Sequence, residues 1–393
     1  MKYFIIAGEA SGDLHASNLM HEIKRKDKNA EFCFLGGDLM AAQGGTMVKH
    51  YRDMAFMGFI AVIRNADTIK ANMEACKQAI SDFRPNVLIL VDYPSFNLRM
   101  ARFAKENFDI PVYYYISPKV WAWKKFRIRT IKRYVDRMFT ILPFETEFYA
   151  KRHYEVEYVG NPSVDSVYNR PNKEQTMEEF RQVNNLGLKP IIALLPGSRK
   201  QEIESCLPKM LESAERFTDY QVVISGAPGI DSEFYKTVLK SKETPIVVGQ
   251  TYELLQQASA AIVNSGTATL ETALINTPEV VVYHVAGGRL ASFLKKIVIR
   301  VKYVSLVNII AQKELVKELV AHQFTTANLT FELEMILRNE DYQQNMLNGY
   351  AKVRMKLGKS GAAENAAKKI IKYLRMDMRI QKTSKNIPAN LNG

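Results

Sequence analysis

Residues 3–13 read YFIIAGEASGD, a short apolar run that passes directly into a small, acidic turn. Five apolar residues rich in aromatic and β-branched side chains make one buried strand, and the small residues that follow are typical of a strand-to-helix turn. The run is too short to be a signal peptide or a membrane span. The stretch therefore predicts a βα unit.

The same alternation of short apolar runs and longer helical patterns recurs along the chain. Because strands connected through helices pair in parallel, the pattern predicts an α/β protein with two doubly wound, Rossmann-like sheets. A polar segment, 169–173, separates the two series of strands. The predicted strands are 3–7, 32–35, 87–91, 112–116, 138–142 and 156–159, then 191–195, 221–225, 245–248, 260–263 and 280–283.

The 393 residues exceed what one hydrophobic core usually serves, which favours two domains. We expect an N-terminal domain over 1–168 and a C-terminal domain over 174–350. A helical segment, 351–379, could belong to either domain or pack back on the first, and the polar tail 380–393 should fray. Ligands of such sheets bind beyond the carboxyl ends of the strands, so we expect the two domains to face each other across a cleft that holds the site.

The composition favours an anionic partner in a reducing compartment. Lys and Arg outnumber Asp and Glu by 54 to 41, a formal charge of +13, which attracts phosphates, acidic lipids or nucleic acid. The three cysteines lack the paired spacing of a zinc site or a disulfide framework, which suits the cytoplasm. Asp-x-Asp, HExxH and GxSxG motifs are absent, so we expect neither a metal nor another cofactor.

The turn after the first strand offers both backbone and carboxylate groups. Ser11 and Gly12 are small enough for the backbone to approach a ligand at the start of the next helix, and Glu9 and Asp13 add two candidate catalytic carboxylates. The alternative is a tight turn in which Asp13 caps the helix.

Asp92 follows the strongly apolar strand 87–91, which places it at the carboxyl edge of the predicted sheet. A carboxylate there could act as general base for a sugar hydroxyl. The alternative is again a cap for the following helix.

The second domain opens with LPGSRKQE, which offers a phosphate site. Gly197 and Ser198 can expose backbone N–H groups, and Arg199 carries a fork of donors that suits a diphosphate. Glu202 is a further candidate contact. The alternative is an exposed basic turn with Arg199 paired to Glu202 or Glu204.

The stretch NSGTATLE suits a nucleotide sugar. Small hydroxyl residues at a helix start bind phosphate, and a carboxylate one turn later can bind ribose hydroxyls. The alternative is a Ser/Thr-capped helix. The candidates are Ser265, Gly266, Thr267, Thr269 and Glu271.

Three stretches could contact a membrane surface. Residues 54–63 are apolar, and residues 124–133 and 289–302 interleave cations with apolar residues, as interfacial helices do. Core burial is the alternative for the first, and a solvated helix face or a nucleic-acid patch for the others. No RNA or DNA module accompanies them, so we expect no nucleic-acid partner.

Taken together and in order, these motifs resemble the lipid-A-disaccharide synthase family from about residue 2 to 375. The combination is highly specific, although no single motif is. The matching segments are GEASGD (8–13), VDYPSFN (91–97), YYISPKVWAW (114–123), LPFE (142–145), VGNP (159–162), LPGSR (195–199), NSGTATLE (264–271) and SLVN (305–308).

The resemblance implies a GT-B fold and an inverting, metal-independent transfer of 2,3-diacylglucosamine from UDP to 2,3-diacylglucosamine 1-phosphate (lipid X). It implies lipid A biosynthesis in a Gram-negative bacterium, at the inner face of the cytoplasmic membrane, and is compatible with a homodimer. It also implies substrate contacts by Asn97, Asn308 and Glu318.

The chain departs from the family at two of these motifs. Some relatives carry a second acid where this chain has Ser95, which leaves Asp92 as the better base candidate there, with Glu9 and Asp13 as rivals. After SLVN the family often reads Pro-Glu-Leu, whereas this chain has Lys317 before Glu318. Two other functions remain open: a UDP-sugar 2-epimerase on the same scaffold, and a non-catalytic binder of anionic lipid or nucleic acid.

Overall fold

The computed structural model describes residues 1–54, 66–108, 110–121, 126–240, 243–284 and 302–385. The chain forms two compact units, Met1–Pro162 with Ser360–Gly393, and Ser163–Lys359. Each unit contains a sheet of parallel strands with helices between them. The predicted α/β class with two Rossmann-like sheets is confirmed.

The sheet of the first unit has the strand order β3-β2-β1-β4-β5-β6-β7. Its central strands are buried along their whole length because helices cover both faces, which gives this sheet a hydrophobic core on each side. The strands are β1 (Lys2–Ala7), β2 (Glu31–Gly36), β3 (Thr46–His50), β4 (Val87–Val91), β5 (Val112–Tyr115), β6 (Arg137–Thr140) and β7 (Glu157–Tyr158). The helices between them are α1 (Ala10–Lys26), α2 (Asp38–Ala42), α3 (Ala66–Phe83), α4 (Pro94–Asn107), α5 (Arg127–Tyr134) and α6 (Phe144–Ala150), with a 3₁₀ turn at Tyr51–Asp53.

The sheet of the second unit has the order β10-β9-β8-β11-β12-β13. Its strands are β8 (Ile191–Leu195), β9 (Gln221–Gly226), β10 (Ile246–Val248), β11 (Ala258–Asn264), β12 (Glu279–Tyr283) and β13 (Glu318–Val320). The helices are α7 (Pro162–Tyr168), which begins at the unit boundary, α8 (Met177–Asn184), α9 (Lys200–Ala214), α10 (Ser232–Leu239), α11 (Thr251–Gln257), α12 (Thr267–Ile275), α13 (Leu306–Ala311), α14 (Thr326–Arg338) and α15 (Glu340–Leu357), with a 3₁₀ turn at Ala321–Gln323.

The last helix, α16 (Ala362–Lys385), belongs to the first unit. Ala366, Ile370 and Leu374 recur every four residues, so they share one face of the helix, and all three are fully buried in the core cluster that contains Leu19 and Ile23 of α1. Burial of this apolar stripe explains why the chain returns to the first sheet.

The units divide after Pro162 and Lys359, several residues from the positions expected at 168, 174 and 350. Helix α15 runs through position 350 without interruption and ends just before Gly358, whose positive φ of 75° stops the helix. The backbone of α16 is helical to Lys385, and residues 386–393 lie outside the described residues, so the frayed tail 380–393 stays a prediction.

Both sheets reverse their strand order at one position, between β1 and β4 and between β8 and β11. At such a switch point the connections leave in opposite directions, so a crevice opens beyond the carboxyl ends of the two strands. The two short strands that apolar patterning missed, β3 and β13, lie at sheet edges.

No helix among the described residues is both long and apolar enough to span a bilayer. Apart from Met54 and Lys302, the apolar stretch 54–63 and the basic stretch 289–302 lie outside the described residues.

Candidate functional site

The switch point of the first sheet brings the first two sequence motifs together. Ala7, the last residue of β1, pairs with Val91, the last residue of β4, so the turn that begins at Gly8 lies beside Asp92. A Cβ atom at Gly8 would lie 2.2 Å from the ring of Tyr93, which leaves no room for any side chain. The close approach of the two turns therefore requires glycine.

The backbone at Asp92 is held in an uncommon conformation. Asp92 and Tyr93 have φ angles of 44° and 46°, in the left-handed region, which costs of order 1 kcal/mol or more per residue. The Nδ2 group of Asn97 donates to the carbonyl of Asp92 at 2.7 Å, and the hydroxyl of Tyr114 donates to the same oxygen. Asn97, expected to contact substrate, is fully buried and instead holds this turn in place.

The surroundings of Asp92 shift the pKa of its carboxyl group. Burial raises the pKa of Asp92 to about 6, and Glu9 adds to the rise, whereas Lys119 and the backbone N–H of Tyr93 oppose it. A carboxylate with a pKa close to the working pH is ionised yet still basic enough to take a proton. Glu9 is half-buried and makes no side-chain cap for α1.

Asp13 has a structural role that differs from the catalytic one expected. Its carboxylate accepts hydrogen bonds from the backbone N–H groups of Gly37 (2.8 Å), Leu39 (3.1 Å) and Met40 (3.1 Å), and the residue is 3% exposed. Both carboxylate oxygens are occupied by donors at the start of α2. Asp13 therefore caps a helix 25 residues away along the chain, not its own helix and not a reacting hydroxyl.

The two small residues of this turn differ in exposure. Gly12 is buried, and a Cβ atom there would lie 3.3 Å from the Cβ of Ala7, so Gly12 lets α1 pack on β1. Ser11 is exposed, which leaves it the more accessible of the two for a ligand.

Replacement of Asp13 by Ala should destabilise the first unit by about 3 kcal/mol or more, because three backbone donors lose their charged acceptor. Both tryptophans of the chain lie in this unit, so urea unfolding followed by tryptophan fluorescence reports on it directly. The matched control is Asp38→Ala, since the side chain of Asp38 is 74% exposed and makes only long ion pairs. An unchanged midpoint for Asp13→Ala would show that the cap contributes nothing.

A cavity of about 170 Å³ opens beside Asp92. The Nη2 group of Arg127, at the start of α5, donates to Ser95 Oγ at 2.8 Å. Lys119 comes from the turn after β5 and is exposed. The lining residues are Asp92, Pro94, Pro118, Lys119, Val120 and Arg127.

Glu145, in the LPFE segment, is a further candidate that sequence reasoning quoted but did not single out. It is 1% exposed, and burial raises its pKa to about 8, although the backbone N–H of Leu142 donates to it at 3.2 Å and favours the charged form. Ser117, beside this carboxylate, shares a hydrogen bond of 2.8 Å with the hydroxyl of Tyr149. Local sequence could not reveal this burial, since it depends on the turn that follows β5.

The switch point of the second sheet joins the LPGSR and NSGTATLE motifs, since Leu195 of β8 pairs with Val263 of β11. Gly197 has a φ of 118°, and a Cβ atom there would lie 2.5 Å from a carboxylate oxygen of Glu202. That carboxylate accepts from the Ser198 N–H and from Arg199 Nη1, each at 3.2 Å.

Glu202 therefore stabilises the turn, as the exposed-turn alternative describes, and presents Arg199 with its side chain 63% exposed. Arg199 therefore forms an ion pair with Glu202 and still has an accessible guanidinium group. A diphosphate ligand would compete with Glu202 for this cation.

The start of α12 supplies part of the phosphate site that NSGTATLE predicts. Gly266 and Thr267 are exposed at the first turn, where backbone N–H groups lack partners inside the helix. Ser265 is different, because its N–H donates to the Val282 carbonyl at 2.9 Å and its hydroxyl to the Val304 carbonyl at 3.1 Å. We therefore correct the expectation for the Ser265 N–H group, which belongs to the sheet.

Two residues further along α12 differ in accessibility. Thr269 is fully buried, and its hydroxyl donates to the carbonyl of Gly266 at 3.0 Å, so it shapes the turn from within. Glu271 is half-buried; burial raises its pKa, and its hydrogen bond to the hydroxyl of Tyr252 opposes that rise. Glu271 is thus the residue of this pair that a ribose could reach.

Asn308 and Glu318 belong to one hydrogen-bond network at the edge of the second sheet. Asn308 is fully buried; its amide group donates to Glu318 and to the Val316 carbonyl, both at 2.8 Å, and its oxygen accepts from the N–H groups of Leu315 (2.7 Å) and Val316 (3.1 Å). The carboxylate of Glu318 also accepts from the N–H (2.9 Å) and hydroxyl (2.7 Å) of Ser305. All hydrogen-bonding capacity of the Asn308 side chain is used internally, so Asn308 positions the 305–308 segment.

Comparison with known proteins identifies the family. The family model for lipid-A-disaccharide synthetase matches residues 3–371. The chain is 38% identical over 382 residues to the lipid-A-disaccharide synthase of Myxococcus xanthus, covering 95% of this chain and 97% of that protein. The chain belongs to the lipid-A-disaccharide synthase family. The enzyme of Syntrophus aciditrophicus is also 38% identical, over 370 residues, with 92% and 95% covered. The protein is therefore a glycosyltransferase that forms the lipid A disaccharide.

Solved structures of low sequence identity share the fold. A UDP complex of MnaA from S. aureus is 12% identical with a TM-score of 0.63, covering 95% of this chain and 97% of that chain. UDP-GlcNAc 2-epimerase from Neisseria meningitidis, bound to UDP-GlcNAc, is 13% identical with a TM-score of 0.59, covering 96% and 100%. The expected GT-B type of fold, with two Rossmann-like domains, is thus confirmed.

Proposed function

We propose that the protein transfers 2,3-diacylglucosamine from UDP to the 6-hydroxyl of 2,3-diacylglucosamine 1-phosphate, with inversion at the anomeric carbon and without a metal. The observation that carries this proposal is Asp92, a carboxylate held at the switch point of the first sheet with a pKa raised to about 6. An inverting transfer needs one such base for the acceptor hydroxyl.

The acceptor step uses the first unit. Asp92 takes the proton of the 6-hydroxyl as the oxygen attacks the anomeric carbon of the donor, and the bond from that carbon to the diphosphate oxygen breaks. UDP leaves with the bonding electron pair. Glu9 adds negative charge near Asp92, which raises the pKa of Asp92 and makes it a stronger base.

The donor is bound by the second unit. Arg199 and the N–H groups at the start of α12, at Gly266 and Thr267, stabilise the negative charge that develops on the diphosphate. Glu271, on the same helix, binds the ribose hydroxyls. Five further residues hold these groups in position: Glu202, Ser265, Thr269, Asn308 and Glu318.

Membrane contact through α5 would be electrostatic. Ile128 and Ile131 are buried in the core of the first unit, so the apolar side of this helix is not available to a bilayer, contrary to the interfacial-helix interpretation. Arg129, Lys132 and Arg133 are exposed. We propose that these cations attract the anionic inner leaflet of the cytoplasmic membrane, with about 1 kcal/mol per cation near the surface.

The test is an assay in detergent with both acylated substrates. Formation of disaccharide together with UDP supports the proposal. If UDP binds but no disaccharide forms, while soluble UDP-GlcNAc is epimerised, the function is that of an epimerase. Binding to anionic rather than neutral vesicles tests the membrane contact. Light scattering of the purified protein without vesicles tests for a homodimer.

A further inference from the structure

The cavity beside Asp92 combines a base with two cations. Lys119 and Arg127 both line it, together with the apolar residues Pro118 and Val120. Its volume of about 170 Å³ equals that of several water molecules at about 30 Å³ each, which is enough for a phosphate group.

We propose that Lys119 and Arg127 bind the 1-phosphate of the acceptor sugar and so orient its 6-hydroxyl toward Asp92. The inference rests on the proposed function and adds the part of the substrate that this site recognises. A phosphate monoester carries a charge of about −1.5 to −2 near neutral pH, so it is attracted to two neighbouring cations.

The covalent geometry of the acceptor agrees with this placement. The 6-hydroxymethyl group and the 1-phosphate leave the sugar ring from the two carbons that flank the ring oxygen. A base for the hydroxyl and a site for the phosphate of the same sugar must therefore be close neighbours. The cavity meets this condition because Asp92, Lys119 and Arg127 share its wall.

Arg127 is oriented for such a role. The 2.8 Å hydrogen bond from its Nη2 group to Ser95 Oγ orients the guanidinium at the wall of the cavity. An oriented guanidinium can offer further N–H groups to phosphate oxygens. Among the groups that lower the pKa of Asp92, Lys119 has the largest effect, because its ammonium group lies near that carboxylate.

Negative groups nearby set a limit on the affinity. Asp92 and Glu9 repel a phosphate, so one cation alone would leave the site unfavourable for a dianion. Two cations bring the four groups close to neutral before the ligand binds. We therefore expect both Lys119 and Arg127 to be necessary.

The experiment compares the 1-phosphate acceptor with the same diacylglucosamine carrying a free 1-hydroxyl, in neutral detergent. The wild-type enzyme should prefer the phosphate by about 100-fold or more in kcat/KM, since charge-assisted hydrogen bonds are the strong ones. Lys119→Gln and Arg127→Gln should each reduce this ratio about tenfold or more, with KM for the UDP-sugar unchanged. Lys119→Arg should keep most of the preference.

Arg129→Gln is the matched control, because Arg129 lies on the same helix as Arg127 and is exposed but does not line the cavity. It should leave the ratio unchanged, even if it weakens attachment to anionic vesicles. If Lys119→Gln and Arg127→Gln lower turnover of both acceptors equally, the phosphate site is refuted. Reduced binding of these variants to phosphatidylglycerol vesicles, with an unchanged ratio, would assign the cations to lipid headgroups instead.

A binding measurement separates this proposal from the proposed function. Glucosamine 1-phosphate is titrated against the protein, and the intrinsic tryptophan fluorescence is followed, to which Trp121, next to Val120, contributes. Weaker binding to Lys119→Gln than to wild type supports the site even if no disaccharide is formed. Equal binding to both proteins refutes it even if the enzyme is active.

Discussion

Replacing Asp92 by Asn should lower kcat by about 10²–10⁴-fold and leave UDP binding unchanged. Asn has nearly the same shape but cannot accept the proton of the attacking hydroxyl. The side chains of Asn97 and Tyr114 donate to the backbone carbonyl of Asp92, so the turn should keep its conformation. Steady-state kinetics measure kcat, and calorimetric titration with UDP measures binding.

The alternative base is Glu9, and its replacement distinguishes the two assignments. If Glu9 were the base, Glu9→Gln would abolish turnover and Asp92→Asn would retain it. Asp38→Asn serves as control, because its side chain is 74% exposed and lies outside the cavity. We expect this variant to have wild-type kinetics.

The pH dependence of the reaction should also show whether Asp92 is the base. With a pKa of about 6 in the protein without substrate, Asp92 is ionised above that pH and protonated below it, so kcat/KM should fall as the pH is lowered through about 6. Because Glu9 raises the pKa of Asp92, Glu9→Gln should move the acidic limb to lower pH. An acidic limb that stays in place in that variant would contradict the coupling between the two carboxylates.

Replacing Arg199 by Ala should reduce kcat by about 10²–10³-fold and weaken UDP binding, because the departing diphosphate loses its cation. KM for the acceptor should stay the same. The ion pair with Glu202 is 63% exposed on the arginine side, so its loss should change stability little. Kinetics with each substrate varied in turn, together with UDP titration, test this expectation.

Arg216→Ala is the matched control for this variant. Arg216 lies in the same unit, is 56% exposed and pairs with Glu212 one helical turn away, as Arg199 pairs with Glu202. Equal losses in the two variants would mean that general positive charge, and not the position of Arg199, promotes the reaction.

Much of the fold and part of the site followed from local patterns. Strands β4 and β8 were predicted at their observed bounds, because parallel strands covered on both faces are continuous apolar runs. β13, which is only Glu318–Val320, was missed because three residues at a sheet edge carry no such pattern. Asp92 and Arg199 were found because each follows a readable strand by a few residues.

Other residues changed their roles once their partners were known. Asp13 was a candidate catalytic carboxylate, with a helix cap as the alternative, and the family resemblance implied a substrate contact for Asn308. In the structure, the polar atoms of both side chains bind backbone groups inside the protein. The sequence did not predict a role in the site for Lys119, Arg127 or Glu145, although all three lie in quoted segments. Their roles depend on a cavity and on burial that separate turns create together.

The sequence by itself determined the α/β class, the presence of two parallel sheets and the family, since these depend on apolar runs and motifs that are contiguous along the chain. Only the tertiary structure decided which polar residues are accessible. Asp13 meets the N–H of Gly37, and Asp92 shares a cavity with Arg127, 35 residues later. Burial and hydrogen bonding arise from such distant pairs, and no local pattern encodes them.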